Sequence, residues 1–405
     1  MLMKNISSRM LGLFFIVALA FQVTWYSMLW VGILTQPYLL KTADFSIIYT
    51  AGRIAASGRY DLIYDLETQR QIQAELLGKS LQATELLPFN HPPLLVPIQA
   101  YLSTQNYFVS YQHWVYIMAC FLAMAAVVIS RLFHIMKWER IQISVVLISS
   151  LLFYPVFISL LKGQDSAFLL LGVALWVYGV IGGEDLWAGL GLSLALIRPQ
   201  IAVVLAIPFL FRRRKVFWWF CAGGAALGLL SLAMVGLDGA QDYLRILTVS
   251  AGGQEYGLNQ SAMFNFTGLA LRLFPHVDPG LIHWLTWGLF AAGIVGLSVL
   301  WKVSSAIRLR HLGLAVVTSL FVAPHLHYHD LALLLLPILG FAIILVEAGI
   351  LRPEKSMYLP VSFSLLLLLG DISPARFVIP YLVMAFLVVG LWFPVKLLFT
   401  SRKMA

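Results

Sequence analysis

An all-α membrane protein with many spans is what this sequence predicts, and three observations carry the prediction. Apolar residues make up 60% of the 405 and charged residues 11%, where soluble proteins have about 25% charged, and the mean hydropathy is +0.87. The apolar residues fall in long runs, so each run can satisfy its own backbone hydrogen bonds as a helix in lipid. Polar residues fall in short clusters between the runs, and the basic ones are biased toward one set of connectors, as membrane insertion requires.

The same figures exclude several classes. A net charge of +9 would suit nucleic acid on a soluble face, but the excess sits in connectors between spans, so no nucleic-acid partner is expected. Cys120 and Cys221 both lie in apolar runs, which suggests neither a disulfide scaffold nor a zinc cluster.

Full spans are expected at roughly 10–34, 107–130, 141–161, 166–182, 217–236, 281–301, 311–324, 331–349, 358–370 and 376–396. Lys4 and Arg9 before an apolar run, with Ala18-Leu-Ala20 behind them, resemble a signal sequence. The run continues to about Leu34, which favours an uncleaved first span. Two of the spans are shorter than the ~17 residues a simple crossing needs, so broken or tilted helices are expected there. Residues 186–211 carry Arg198, Pro199 and Gln200 at their centre. Proline removes a helical donor and arginine is costly in lipid, so this segment reads as a re-entrant pair of half-helices meeting at a polar point. The total is about ten full spans plus that pair, or 10–12 membrane segments. With 186–211 re-entrant, seventeen of the 27 Lys and Arg gather on one side with five of the 18 Asp and Glu. That side is cytoplasmic by the positive-inside rule, and both termini come out cytoplasmic.

The opposite, outer side then holds two long segments, 36–92 and 237–280. Loops of that length usually contain structure of their own, and interfacial helices are expected at Ala74–Leu87 and Gln241–Thr248. Neither segment holds an ordinary soluble domain, so residues 1–405 form one transmembrane catalytic domain if the chain is an enzyme. No repeat, glycine-rich phosphate loop, Cys-x-x-Cys or His-Glu-x-x-His motif is present.

Five clusters are able to carry chemistry. Lys41-Thr-Ala-Asp44-Phe-Ser-Ile-Ile-Tyr49-Thr-Ala-Gly52-Arg53 follows the first span; Asp44 is either a carboxylate meeting a substrate from the watery side or a helix cap, and Tyr49 pairs with Arg53 at i,i+4 if the stretch is helical. Tyr60-Asp61-Leu-Ile-Tyr64-Asp65 precedes Pro88-Phe89-Asn90-His91-Pro92-Pro93, whose prolines hold His91 at a defined depth. Lys162-Gly163-Gln164-Asp165 reads as a phosphate-binding turn or as an ordinary turn with an Asp cap. Arg198 needs either a carboxylate partner within the bundle or an anionic ligand. In Pro324-His325-Leu-His327-Tyr328-His329-Asp330 the alternating histidines aim one way if the segment is extended. A histidine ordered by Asp330 beside a reacting phosphate is favoured there over a metal site.

Taken in order, Asp44-Phe-x-x-x-Tyr49-x-Ala-Gly52-Arg53, Tyr64-Asp65, Phe89-x-x-Pro92-Pro93, Gly163-Gln164, Ala188-Gly189 through Pro199-Gln200, Asn259-Gln260-Ser261 and His329-Asp330 resemble glycosyltransferase family 87. That family includes actinobacterial mannosyltransferases that use polyprenyl-phosphate mannose. The resemblance extends over about residues 10–345; each motif is common alone and the ordered set is specific. It departs from the family at Gln164-Asp165-Ser166, where many relatives place Asn two residues after Gln, and at Arg198, where Lys is frequent.

The resemblance implies a C-type glycosyltransferase fold in a prokaryotic cytoplasmic membrane, with a cavity facing outward. It implies a polyprenyl-phosphate sugar donor and a glycolipid or glycan acceptor, and it implies that Asp44 is the general base of an inverting displacement. Lys162, Arg198 and His329 are then the expected ligands of the donor phosphate. Tyr49, Arg53, His91, Gln164, Gln200, Asn259, Gln260, His327 and Asp330 are the expected lining of the cavity. A divalent cation has no clear ligand set, and the oligomeric state is left open. The rival from another class is a secondary transporter or flippase for an anionic or lipid-linked substrate, which broken helices and an intramembrane arginine would also serve.

Overall fold

The computed structural model describes residues 2–36, 44–252 and 259–393. Lys41 and the C-terminal basic cluster Lys396, Arg402 and Lys403 lie outside the described residues. The chain is all-α, with no strand among the described residues.

The expectation of about ten full spans on a C-type glycosyltransferase fold does not hold. Among the described residues five helices are long and apolar enough to cross a bilayer: Gly12–Thr35, Tyr107–Ile135, Arg214–Thr248, Pro279–Val303 and Tyr328–Glu347. The protein is therefore a multi-pass membrane protein built on these five, with shorter apolar helices packed among them. The physical reason is length: helices of 14 residues, such as those expected to span near 311–324, 358–370 and 376–396, reach only about 21 Å against a hydrocarbon core of ~30 Å.

Helix α1 (Leu2–Thr35) runs unbroken through the Ala-Leu-Ala stretch. After it come α2 (Phe45–Ala56), α3 (Leu66–Leu77) and α4 (Val96–Leu102). The interfacial helix expected at Ala74–Leu87 lies further N-terminal, as α3. Asp65 caps it by accepting from Thr68 N at 2.8 Å, and Gly78, at φ 67°, ends it. The long α5 (Tyr107–Ile135) follows, capped by Asn106. The run expected to span 141–161 is two helices, α6 (Arg140–Leu151) and α7 (Tyr154–Leu161), broken ahead of Pro155, which suits a first helical turn and no interior.

Next come α8 (Ser166–Gly182), α9 (Asp185–Leu194) and α10 (Pro199–Ala206). The α9–α10 segment breaks at Arg198, whose backbone (φ −126°, ψ 81°) is not helical. Its two ends meet: Arg213 Nε donates to Asp185 Oδ1 at 2.8 Å, and Arg213 Nη1 donates to Val180 O at 2.6 Å. A segment that begins and ends at one place is a hairpin, with Arg198 near its tip.

Helix α11 (Arg214–Gly252) is kinked at Gly236 (φ 69°, ψ −176°), a conformation that only glycine adopts without strain. The piece beyond the kink covers the helix expected at Gln241–Thr248. The chain closes with α12 (Phe266–Leu273), α13 (Pro279–Val303), α14 (Leu309–Val322), α15 (Leu335–Glu347), α16 (Tyr358–Asp371) and α17 (Ile379–Trp392). The core sits around α8, α10, α14 and α15, with Trp176, Phe209 and Trp301 among its fully buried rings.

Candidate active site

One turn sets the geometry of the site. Between α7 and α8 the chain reverses through Lys162-Gly163-Gln164-Asp165. Gly163 takes φ 69°, and a Cβ there would lie 2.8 Å from the Phe45 Cβ. Only glycine satisfies both the left-handed backbone and the close approach. The turn is held from α5, where Tyr111 Oη donates to Leu161 O at 2.7 Å and Trp114 Nε1 to Gly163 O at 2.8 Å. It in turn holds α2, because Phe45 N donates to Lys162 O at 3.1 Å. Asp44 is thereby fixed beside Lys162 and Gln164.

These residues open on a cavity of about 770 Å³, within the ~300–1,000 Å³ range of small-molecule sites. Asp44, His91, Lys162, Gln164, Arg198, Gln200, Asn259, His327, His329 and Asp330 all line it. A broad apolar wall is contributed by Val203 of α10, Leu244 and Leu247 of α11, and Trp287 and Phe290 of α13.

Asp44 stands at the cap position of α2, yet its side chain accepts no capping hydrogen bond. Its carboxylate is 33% exposed, with Oδ2 3.8 Å from His329 Nδ1. Burial pushes the Asp44 carboxyl up, but His329, the Lys162 ammonium and a hydrogen bond from Gln164 together outweigh it and hold the group below the usual carboxylate range.

Arg198 has found the carboxylate partners that were one of its two alternatives. Nη2 donates to Asp165 Oδ1 at 2.8 Å, Nε to Asp330 Oδ1 at 3.1 Å and Nη1 to Ile197 O at 3.2 Å. The guanidinium is 7% exposed and Asp165 1%. Asp165 also meets His91 Nδ1 at 2.8 Å through Oδ2, and makes no cap hydrogen bond to α8. Arg198 and His91 hold the Asp165 carboxyl far below its ordinary range against the effect of burial, the largest single influence.

The histidine segment bends at Pro324 and His325, is extended at His327 (φ −106°, ψ 173°) and then turns into a 3-10 helix at Tyr328. All three histidines line the cavity, with ring centroids 4.7 Å apart from His325 to His327 and 5.8 Å from His327 to His329. Asp330 does not order the His329 ring by a hydrogen bond, since Nε2 is 3.7 Å from Oδ1. Its oxygens serve Arg198 and the His327 backbone N, the latter at 3.2 Å. Burial pushes His325 and His327 down, so both are neutral at neutral pH. Among the described residues no three of His, Cys, Asp and Glu group to hold a metal ion.

Tyr49, Arg53 and Gln260 do not line the cavity. Tyr49 Oη donates to Thr104 O at 2.9 Å, and Arg53 Nη1 reaches Tyr49 Oη at 3.1 Å and Thr104 O at 3.3 Å. This i,i+4 pair ties α2 to the connection before α5. Gln260 Oε1 sits 2.9 Å from Nε2 of His283, itself a lining residue. Gln200 Nε2 donates to His325 O at 3.0 Å, and Tyr64 Oη fixes the His91 backbone O at 2.8 Å. Sequence reasoning named Asp165 only as a cap and did not single out Asp371 or Arg376. The signal was a charge bordering an apolar run, which needs a partner, the argument applied to Arg198 alone.

Residues 89–337 match the model of glycosyltransferase family 87. Nothing among the curated proteins matches the chain, and no solved structure does. The match takes in Lys162, Gln164, Asp165, Arg198 and the histidine segment, whereas Asp44, Asp371 and Arg376 fall outside it. Since it spans more than half of the 405 residues, the chain belongs to glycosyltransferase family 87.

Proposed function

We propose that this glycosyltransferase moves a hexose such as mannose from polyprenyl phosphate to a hydroxyl of a glycolipid or glycan, on the outer face of the membrane. The acceptor oxygen attacks the anomeric carbon as the bond from that carbon to the phosphate oxygen breaks on the opposite face, inverting the centre. Asp44 takes the acceptor proton, and polyprenyl phosphate leaves with the bonding pair. The phosphodiester begins with one negative charge and the departing monoester carries two, so charge stabilisation matters more than protonation of the leaving group.

The observation that carries the reading is the placing of the Asp44 carboxylate, 3.8 Å from His329, in one cavity with Lys162 and a broad apolar wall. The basic residues support a phosphate-bearing donor: Arg198 is held between Asp165 and Asp330, and His325 and His327 are neutral, so the Lys162 ammonium, which also faces Asp44, is the cation left to meet an incoming phosphate. In this scheme His329, 3.8 Å from Asp44, donates to the phosphate or to the acceptor, and Arg198 is a fixed part of the wall. The apolar lining supports a lipid-linked donor, because a polyprenyl chain can stay out of water, where each methylene would cost about 0.8 kcal/mol.

The test is purified protein in nanodiscs offered a panel of polyprenyl-phosphate hexoses and nucleotide sugars, with transferred sugar detected by mass. Transfer from a lipid-phosphate donor is the expected result. Transfer from nucleotide sugars alone would overturn the donor class.

A further inference from the structure

The cavity has a second polar end that lies outside both the sequence motifs and the family match. Asp371 ends α16 and Arg376 sits in the short turn Pro374–Phe377; both line the cavity. Asp371 Oδ2 accepts from Tyr154 Oη at 2.6 Å, and Asp371 Oδ1 lies 3.0 Å from Arg376 Nε. Those two facing atoms are not aligned as a hydrogen bond, and neither has another partner. A guanidinium offers five N–H donors, and the Arg376 side chain, 43% exposed, has among the described residues only the ion pair and the Phe377 ring, 5.7 Å away.

The turn does not need Arg376 to hold its shape. Ser373 Oγ caps it by accepting from Ala375 N at 3.2 Å. Arg272 braces it from α12, stacking on the Phe377 ring at 4.4 Å and donating to Tyr381 Oη at 2.7 Å. Arg376 is thus left facing the cavity with donors in excess of its contacts.

Charge selects the ligand. Asp371 neutralises Arg376, so the pair presents donors beside an acceptor with no net charge, and a neutral group rich in hydroxyls fits it. Distance selects which part of the reaction it serves. Tyr154, which holds Asp371, begins α7 and Lys162 follows its end, so the two polar ends are anchored to opposite ends of a helix about 12 Å long. From these observations we propose that Asp371 and Arg376 form a subsite for a neutral sugar ring of the acceptor, beyond the ring carried by the donor phosphate. This rests on the transfer reading above for the word acceptor, while the binding of a sugar ring stands on the pair itself.

The experiment uses the full chain in nanodiscs and the methyl α-D-glycosides of mannose, glucose and galactose as probes, read by saturation-transfer NMR. Arg376→Gln and Asp371→Asn should each weaken the preferred glycoside roughly ten- to a hundredfold, the worth of a hydrogen bond to a charged group, and Lys162→Met should leave that binding intact. In turnover, the two variants should raise KM for the acceptor at unchanged kcat and unchanged KM for the donor. Absence of glycoside binding to the unaltered protein, or equal binding by both variants with normal thermal unfolding, overturns the subsite. Loss of binding in the variants without any sugar transfer by the unaltered protein supports the subsite and overturns the transfer reading instead.

Discussion

Replacing Arg198 by methionine removes the one cation between two buried carboxylates. Asp165 and Asp330 are 1% and 2% exposed and contact the guanidinium at 2.8 and 3.1 Å. Breaking a buried pair by deleting one partner costs about 3–5 kcal/mol, because a charge is left without compensation, and here two carboxylates are left. Asp165→Asn, by contrast, keeps Arg198 opposite Asp330 with no net charge and costs only one set of charged hydrogen bonds, roughly 1.5–3 kcal/mol. Thermal unfolding in nanodiscs, followed by tryptophan fluorescence, should therefore rank Arg198→Met well below Asp165→Asn, and both below the unaltered protein. A guanidinium serving chiefly as a phosphate ligand would give the opposite pattern, with Arg198→Met blocking turnover at an unchanged unfolding temperature. That result would refute the assignment of Arg198 to the ion-pair network.

Three further outcomes are expected. Lys162→Met should raise KM for a polyprenyl-phosphate donor roughly ten- to a hundredfold, and titration of polyprenyl phosphate as a competitor would show the same loss. Gly163→Ala should destabilise the protein by about 1–3 kcal/mol, the cost of a strained left-handed residue, because its φ is 69° and its Cβ meets Phe45 at 2.8 Å; retained stability in a chemical-denaturation series would contradict the turn's role. Asp44 has a lowered pKa, so it is ionised throughout the neutral range and loses its charge only as pH falls below the ordinary carboxylate region. The profile of kcat/KM should accordingly stay flat from neutral pH down to about pH 5 and fall only at lower pH, and an acid limb above the ordinary carboxylate region would point to a base other than Asp44.

How far the sequence could be read depended on whether a feature was local. The break at Arg198, and the hairpin around it, were visible because Pro199 and a buried charge act on their own segment. The kink at Gly236 fell where the apolar run ended. The number of spans was overestimated because hydropathy reports how apolar a run is and not how long its helix will be; the runs near 311–324, 358–370 and 376–396 form helices of 14 residues, too short to cross. Asp165 was read as a cap because pairing across 33 residues to Arg198 is a tertiary fact. Tyr49 and Arg53 kept their i,i+4 contact, yet the face they share turns toward Thr104 and away from the cavity. Asp44 shows the converse: its position at a helix start suggested a cap, and the docking of Phe45 on Lys162 leaves the carboxylate free of that duty.

Turnover of Asp44→Asn, with a polyprenyl-phosphate hexose as donor and product detected by mass, tests the proposed chemistry most directly. The isosteric change removes the proton acceptor, and general-base catalysis is worth about 10²–10⁴-fold. The scheme predicts a loss of kcat of that size with donor affinity and thermal unfolding retained. Normal turnover by correctly inserted Asp44→Asn protein would contradict it.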